Sequence, residues 1–384
     1  MGYSSGFEKS HGDDSLTNAH CVQSAQKNPK GEFYKGKRST LLRNVLIALV
    51  AGFGTVFVIL TLVKGLKVTE KVPRFSVTES ILYFSIFFLV FLIDSVRTVI
   101  LSHFLNDPFP FLKALENSIL GYFFAYITPF SAGGQPFQIY HLSREGMRSE
   151  NASVVILTRW VNMLVFLSVS SVLFAFKYLK YIQVGVPLLD KLIWAIIVIS
   201  VIFSSIIVFS ILFPPVSTLL IRVVNALHIE KLYKLFVRRH LKKDLQNLSD
   251  WLSTFYDAVH SIWVKKTYIV LLDMAFGVLD LGVIFFVLYS AIVHSSALTN
   301  SVFRLSFLDL SAIFILLSFI VYYVPTPGAS GGVEGGFFAV LSRYGNSAAV
   351  MRGILMWRIS TYYFTILLGL IILIIRIKLG RSDV

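Results

Sequence analysis

Twice in this chain a long apolar run is broken by the same short pattern. The first break reads Thr128-Pro129-Phe130-Ser131-Ala132-Gly133-Gly134, followed by Gln135-Pro136. The second reads Thr326-Pro327-Gly328-Ala329-Ser330-Gly331-Gly332, followed by Val333-Glu334-Gly335-Gly336. Thr, Pro and both Gly recur at one offset of 198 positions. No helix runs smoothly through such a stretch, because Pro removes a backbone donor and Gly-Gly loosens the chain. In hydrocarbon a break of this kind survives only where protein or a wet cavity covers it. Paired broken segments in corresponding halves are the sequence mark of a transporter binding site.

Composition fixes the solvent. The 384 residues are 55% hydrophobic and 15% charged, with a mean hydropathy of +0.73. The apolar runs are continuous rather than alternating, which excludes an outer-membrane barrel and specifies an all-α polytopic membrane protein. A net charge of +14 would suggest nucleic acid in a soluble chain. Here the charge lies between the apolar runs, so it is read as cytoplasmic anchoring against anionic lipid, with no nucleic-acid partner. The single cysteine, Cys21, excludes an internal disulfide and a Cys-based metal cluster.

In chain order, residues 1–40 are polar and read as a disordered cytoplasmic tail without a signal peptide. The first membrane repeat, 41–222, holds full spans at Val45–Val63, Glu79–Leu101, Ala152–Tyr178 and Ile193–Phe213. Its broken hairpin runs from Phe111 to Phe130 and out through Pro136–Leu142. Residues 223–266 are basic, and Leu241, Leu245, Leu248, Leu252, Phe255, Val259 and Ile262 make one apolar stripe at helical spacing. This linker is expected to lie on the membrane surface or beneath the bundle. The second repeat, 267–378, holds Thr267–Ile292, a hairpin from Leu305–Tyr323 into Gly335–Leu341, and Ala348–Ile375, before a short tail at 379–384. Six full spans and two re-entrant hairpins place both termini and the linker inside, with the halves inverted. The loop 64–76 is then a basic exception outside, with Lys64, Lys67, Lys71 and Arg74 against Glu70. Hairpins that cross fully would give eight spans instead.

Several residues in these runs carry candidate chemistry. A broken hairpin aims helix N-termini into the membrane, and their N–H groups suit phosphate. Gly133, Gly134, Gly331 and Gly332 present no side chain to obstruct a head group, and Ser131, Gln135, Thr326 and Ser330 add hydrogen-bonding groups. Tight helix packing explains small residues equally well. About 25 residues beyond each Gly-Gly stand Arg159-Trp160 and Trp357-Arg358. A guanidinium in an apolar helix costs at least about 2.5–3.5 kcal/mol on insertion scales, so each needs a carboxylate, hairpin carbonyls or a substrate phosphate. Glu334 stands where the first copy has Pro136, and it either pairs with Arg358 or meets a cationic head group. Asp273 and Asp280 share a face at i, i+7 and are candidates for the same head-group or proton role, as is Glu116 ahead of the first break. Asp94 and Arg97, at i, i+3, are spaced to pair on one helix. No HExxH motif, P-loop or catalytic set appears, so no cofactor, metal or enzymatic activity is expected.

With these motifs the sequence resembles the lysylphosphatidylglycerol synthase transmembrane, or flippase-like, family. The matching residues are Thr128-Pro129, Gly133-Gly134-Gln135-Pro136 and Arg159, and Pro325-Thr326-Pro327-Gly328, Gly331-Gly332-Val333-Glu334-Gly335 and Arg358. The resemblance covers about residues 40–378. It implies movement of a phospholipid, aminoacylated in the fused members, between leaflets of the cell membrane. The soluble transferase of the fused members has no counterpart here, so synthesis is not expected. Phospholipid is the expected partner, alongside a second copy of the chain or a separate synthase. The alternatives are an ion-coupled carrier of a small solute and a scaffold for a lipid-modifying synthase.

Overall fold

The structure, a computed structural model, describes residues 74–182, 191, 194–195, 198–199, 201–206, 209, 259–321 and 326–378. The chain divides into Met1–Val45 and Leu46–Val384, and all described residues belong to the second unit. Their regular elements are helices: α1 (Val77–Phe104), α2 (Phe111–Ile127), α3 (Gly134–Arg144), α4 (Ser149–Ile182), α5 (Thr267–Leu298), α6 (Phe307–Val321), α7 (Gly332–Leu341), α8 (Ser347–Arg358) and α9 (Phe364–Lys378). A π-helical turn, Ser261–Lys265, precedes α5, and a second, Ile359–Tyr363, joins α8 to α9.

Four helical stretches are long and apolar enough to cross a bilayer: Val77–Phe104, Ser149–Tyr178, Thr267–Leu298 and Ser347–Arg376. They agree with four of the six expected spans, with ends displaced by a few residues. The expected span Val45–Val63 and the tail 1–40 lie outside the described residues, as do most of the linker 223–266 and part of the span Ile193–Phe213. Val259 and Ile262, the last two members of the linker stripe, are buried against Val154, Val161 and Val270.

Both broken elements fold back on themselves. Lys113, at the start of α2, donates to the Glu145 carbonyl at 3.2 Å and pairs with its carboxylate at 3.0 Å, just beyond α3. Arg304, ahead of α6, donates its backbone N–H to the Tyr344 carbonyl, after α7, at 2.9 Å. Each hairpin therefore enters and leaves at one end. At their tips the backbones of Pro129 and Pro327 form an antiparallel bridge. Positive φ angles make the tight reversals: +56° and +54° at Phe130 and Ser131, and +56°, +51° and +89° at Gly328, Ala329 and Gly331.

The ends of the helices sort into two groups. At one end, Lys266 donates to the Phe104 carbonyl at 2.8 Å, and Asp107 accepts from Asn151 at 2.9 Å. Arg376 joins this end by pairing with Glu116 at 2.5 Å and with Glu145. Burial would raise the Glu145 carboxyl, but hydrogen bonds from Lys113 and Arg376 hold it below the usual carboxylate range. At the other end, Glu79 pairs with Arg352 at 2.5 Å and with His294 at 3.0 Å. There Tyr178 also donates to Asp309 at 2.9 Å. The last span starts beside the open end of the second hairpin and finishes against the open end of the first. The hairpins thus open at opposite ends of the bundle, and their tips meet inside it.

The main core is aliphatic and aromatic, centred on Phe87, Val90, Phe91, Leu288, Ile292, Leu316 and Ile354. Small residues set its closest approaches. A Cβ on Gly353 of α8 would lie 2.6 Å from the Ile292 Cα of α5, so these two helices touch backbone to backbone, as small residues permit in membranes.

Candidate functional site

A cavity of about 590 Å³ lies where the two hairpin tips meet α1, α4, α5 and α8. From the first hairpin it is lined by Gly121, Tyr122, Tyr126, Ser131, Gly134, Gln135 and Gln138. The second hairpin contributes Gly328, Ala329, Val333 and Phe337. The charged groups on its wall are Asp94, Arg97, Arg159, Asp280 and Arg358, all nearly fully buried. Phe130, Trp160 and Phe203 also line it while being 53%, 38% and 51% exposed. The wall therefore runs out to the molecular surface through large apolar side chains.

The charges on one side form a chain across three helices. Arg97 of α1 grips Asp273 of α5 with two parallel bonds, Nε to Oδ1 at 2.8 Å and Nη2 to Oδ2 at 3.0 Å. Asn162 of α4 adds a bond to Asp273 Oδ2 at 2.6 Å and one to the Val270 carbonyl at 3.3 Å. Arg97 Nη1 lies 3.8 Å from Asp280 Oδ2. Gly277, between the two aspartates, lets the guanidinium lie across α5, since a Cβ there would come 3.2 Å from Arg97 Nη2. Arg159 of α4 pairs with Asp94 and donates to Thr98 Oγ1 at 2.7 Å. The pairing of Asp94 with Arg97 within α1 is thus replaced by pairs to α4 and α5. A bidentate guanidinium–carboxylate fork is stronger than an i, i+3 contact, and burial raises the advantage.

On the other side, Arg358 is held by its own hairpin. Its Nε donates to Glu334 Oε1 at 2.6 Å, and its Nη2 reaches Ser330 Oγ at 3.2 Å and the Gly328 carbonyl at 3.3 Å. The guanidinium sits 4.2 Å above the Tyr362 ring, a cation–π contact. Glu334 Oε2 accepts the Gly331 N–H at 2.7 Å. The N-terminus of α7 is therefore occupied by the carboxylate of its own first turn, and the Glu334–Arg358 pair is internal. At the first hairpin the Gly133 N–H goes to Thr128 Oγ1 at 2.9 Å, and Gly134 and Gln135 face the cavity.

Residues 45–369 match the family model described as the lysylphosphatidylglycerol synthase TM region. The chain belongs to this family. No curated protein and no solved structure is significantly similar to it. The match relates this multi-pass membrane protein to the membrane regions of lysylphosphatidylglycerol synthases and so to the handling of lipids.

In this lysylphosphatidylglycerol synthase TM-region protein, the cavity gathers Ser131, Gly134, Gln135, Arg159, Asp280 and Arg358 from the residues singled out in the sequence. Gly133, Thr326, Ser330, Gly331, Gly332 and Glu334 build the turns behind the wall. Thr326 Oγ1, for example, donates to the Ser330 carbonyl at 2.8 Å. Asp273 is held beneath the wall by Arg97 and Asn162. Glu116 is not at the cavity: it lies at the open end of the first hairpin, against Arg376. The sequence reading did not single out Asn162, Gln138 or Arg352. Arg352 is almost fully buried and bonds Glu79, Ser295 and the Arg74 carbonyl. A charge five residues into an apolar helix was the available signal for it.

Proposed function

We propose that this protein moves a phospholipid between the two leaflets of the cell membrane, carrying the polar head through the cavity while the acyl chains stay in the bilayer. One observation carries the reading. Among the buried atoms without a partner on the residues of the cavity wall, which include Asp94 Oδ2 and Trp357 Nε1, two of opposite character stand out, Arg159 Nε and Asp280 Oδ1. A buried donor or acceptor left without a partner is costly even where the rest of its group is paired. A head group with a phosphate and a cationic amine would satisfy both, the phosphate at Arg159 beside Ser131 and Gly134, the amine at Asp280. The exposed Phe130, Trp160 and Phe203 on the wall favour a lateral path for acyl chains over the sealed chamber of a small-solute carrier.

Positive-inside bias supports a cytoplasmic position for the end bearing Lys113, Arg144, Arg148, Lys265, Lys266 and Arg376. The first hairpin then opens to the cytoplasm and the second to the outside, as in inverted-repeat transporters. Under this reading the chain is a transporter rather than an enzyme, and a separate synthase supplies any aminoacylated lipid.

The test is transbilayer movement of labelled lipids in proteoliposomes, comparing phosphatidylglycerol, phosphatidylethanolamine and lysylphosphatidylglycerol. The wild type is expected to accelerate movement, with amine-bearing heads fastest. Arg159→Gln and Asp280→Asn are each expected to slow it at least tenfold. Well-folded wild type that accelerates none of the three lipids would sink the proposal.

A further inference from the structure

The charges of the cavity do not balance. Among the described residues, Asp94, Asp273 and Asp280 face two cations on the same side, Arg97 and Arg159. Arg358 brings no third, since Glu334 neutralises it. Asp273 takes both forks of Arg97 and a bond from Asn162, and Asp94 takes Arg159. Asp280 is left with a 3.8 Å approach to Arg97 on one oxygen and with no partner on the other. It is 4% exposed and lines the cavity. The titratable groups that share the cavity wall with it are Asp94 and Arg97 on α1, Arg159 on α4, Tyr122 and Tyr126 on the first hairpin and Arg358 on α8; its own helix adds Asp273. A carboxylate that shares its one distant cation with a better-placed partner is neutralised either by a proton or by a cation brought in from outside.

We infer that Asp280 exchanges the two: it holds a proton while the cavity is empty and releases it when the ammonium of a lipid head group binds. The inference rests on the head-group reading above and adds its energy coupling. The balance is simple. The carboxylic O–H of Asp280 breaks, its proton passes to water in the cavity, and the carboxylate so formed pairs with the incoming R–NH₃⁺. The Asp280 position stays neutral in both states, as a carboxylic acid when empty and as a carboxylate–ammonium pair when occupied. Each ammonium-bearing head that leaves on one side frees Asp280 to take a proton from that side. Outward lipid movement thus runs against inward proton movement.

The experiment uses the whole chain in detergent at weak buffering, with a pH-indicating dye. The probes are short-chain phosphatidylethanolamine, which carries an ammonium, and short-chain phosphatidylglycerol, which does not. The wild type is expected to release about one proton for each phosphatidylethanolamine bound and none for phosphatidylglycerol. The release is expected to fade as the pH is raised and Asp280 ionises in the empty protein. Asp280→Asn, checked for an unchanged unfolding temperature, is expected to release none; Asp280→Glu is expected to restore part of it. Phosphatidylethanolamine binding without proton release, or equal release from Asp280→Asn, overturns the exchange and leaves lipid transport standing. Failure of the wild type to bind either lipid overturns the transport reading, and the exchange with it.

Discussion

Arg159 and Arg358 are counterparts in the repeat, yet they do different work. The order of Arg and Trp is reversed between the copies, Arg159-Trp160 against Trp357-Arg358. One residue along an α-helix turns a side chain by about 100°. That step sends Arg159 towards Asp94 of α1 and Arg358 back to its own hairpin. Because Glu334 is fully buried, removing either member of its pair strands a charge in the interior. Arg358→Ala and Glu334→Ala are each expected to cost about 3–5 kcal/mol, read by denaturant titration in mixed micelles. The double substitution is expected to cost less than the two singles together, since neither charge is then left alone. Additive losses would mean the two side chains stabilise the protein separately. The residues of the site were legible as charges out of place in apolar runs: Asp94, Arg97, Arg159, Asp273, Asp280, Glu334 and Arg358 all stand out on that ground. Their partners were not legible. Pairing across α1, α4 and α5 depends on helix rotation and register, which spacing within one segment does not fix.

At the scale of elements, Pro and Gly announced both hairpins, because no other residues interrupt a membrane helix so consistently. Composition did not reveal that the tips meet at Pro129 and Pro327, since that contact joins segments far apart in the chain. The Glu334 carboxylate at the start of α7 makes the second hairpin a self-contained unit, and the first leaves its corresponding turn facing the cavity. The helices that carry these units are held by close crossings. Gly353→Ala would place a methyl 2.6 Å from the Ile292 Cα and 2.8 Å from its backbone nitrogen. Backbone atoms cannot rotate aside, so α8 must move off α5, at an expected cost of about 1–3 kcal/mol. Gly335→Ala is the matched control. A Cβ there meets nothing within 4 Å, and the expected change is neutral to about 1 kcal/mol stabilising, from the smaller entropy of the unfolded chain. Thermal unfolding of the two variants in lipid nanodiscs checks the contrast. Equal effects would remove the α5–α8 contact as the cause.

For the whole molecule the two hairpin openings decide how access can alternate. The first opens beside Lys113 and Glu145, where α4 begins; α4 then runs to the end at which Tyr178 meets Asp309. At Lys266 the chain is again at the first end, beside Phe104. α5 then crosses to the end where Arg352 bonds Ser295, the end at which the second hairpin opens. The two openings therefore lie at opposite ends of the bundle. Under the orientation proposed above, the first opening is cytoplasmic, and Lys265 and Lys266 at the same end agree with the positive-inside bias. Single cysteines test both steps in a Cys21→Ser background, at two exposed positions: Arg144→Cys near the first opening and Arg304→Cys near the second. An impermeant thiol reagent is expected to label Arg304→Cys in intact cells, and Arg144→Cys only after the membrane is permeabilised. The reverse pattern would keep the inverted arrangement and overturn the charge assignment. Labelling of both from one side would remove the inversion itself, and with it a cavity served alternately from two faces.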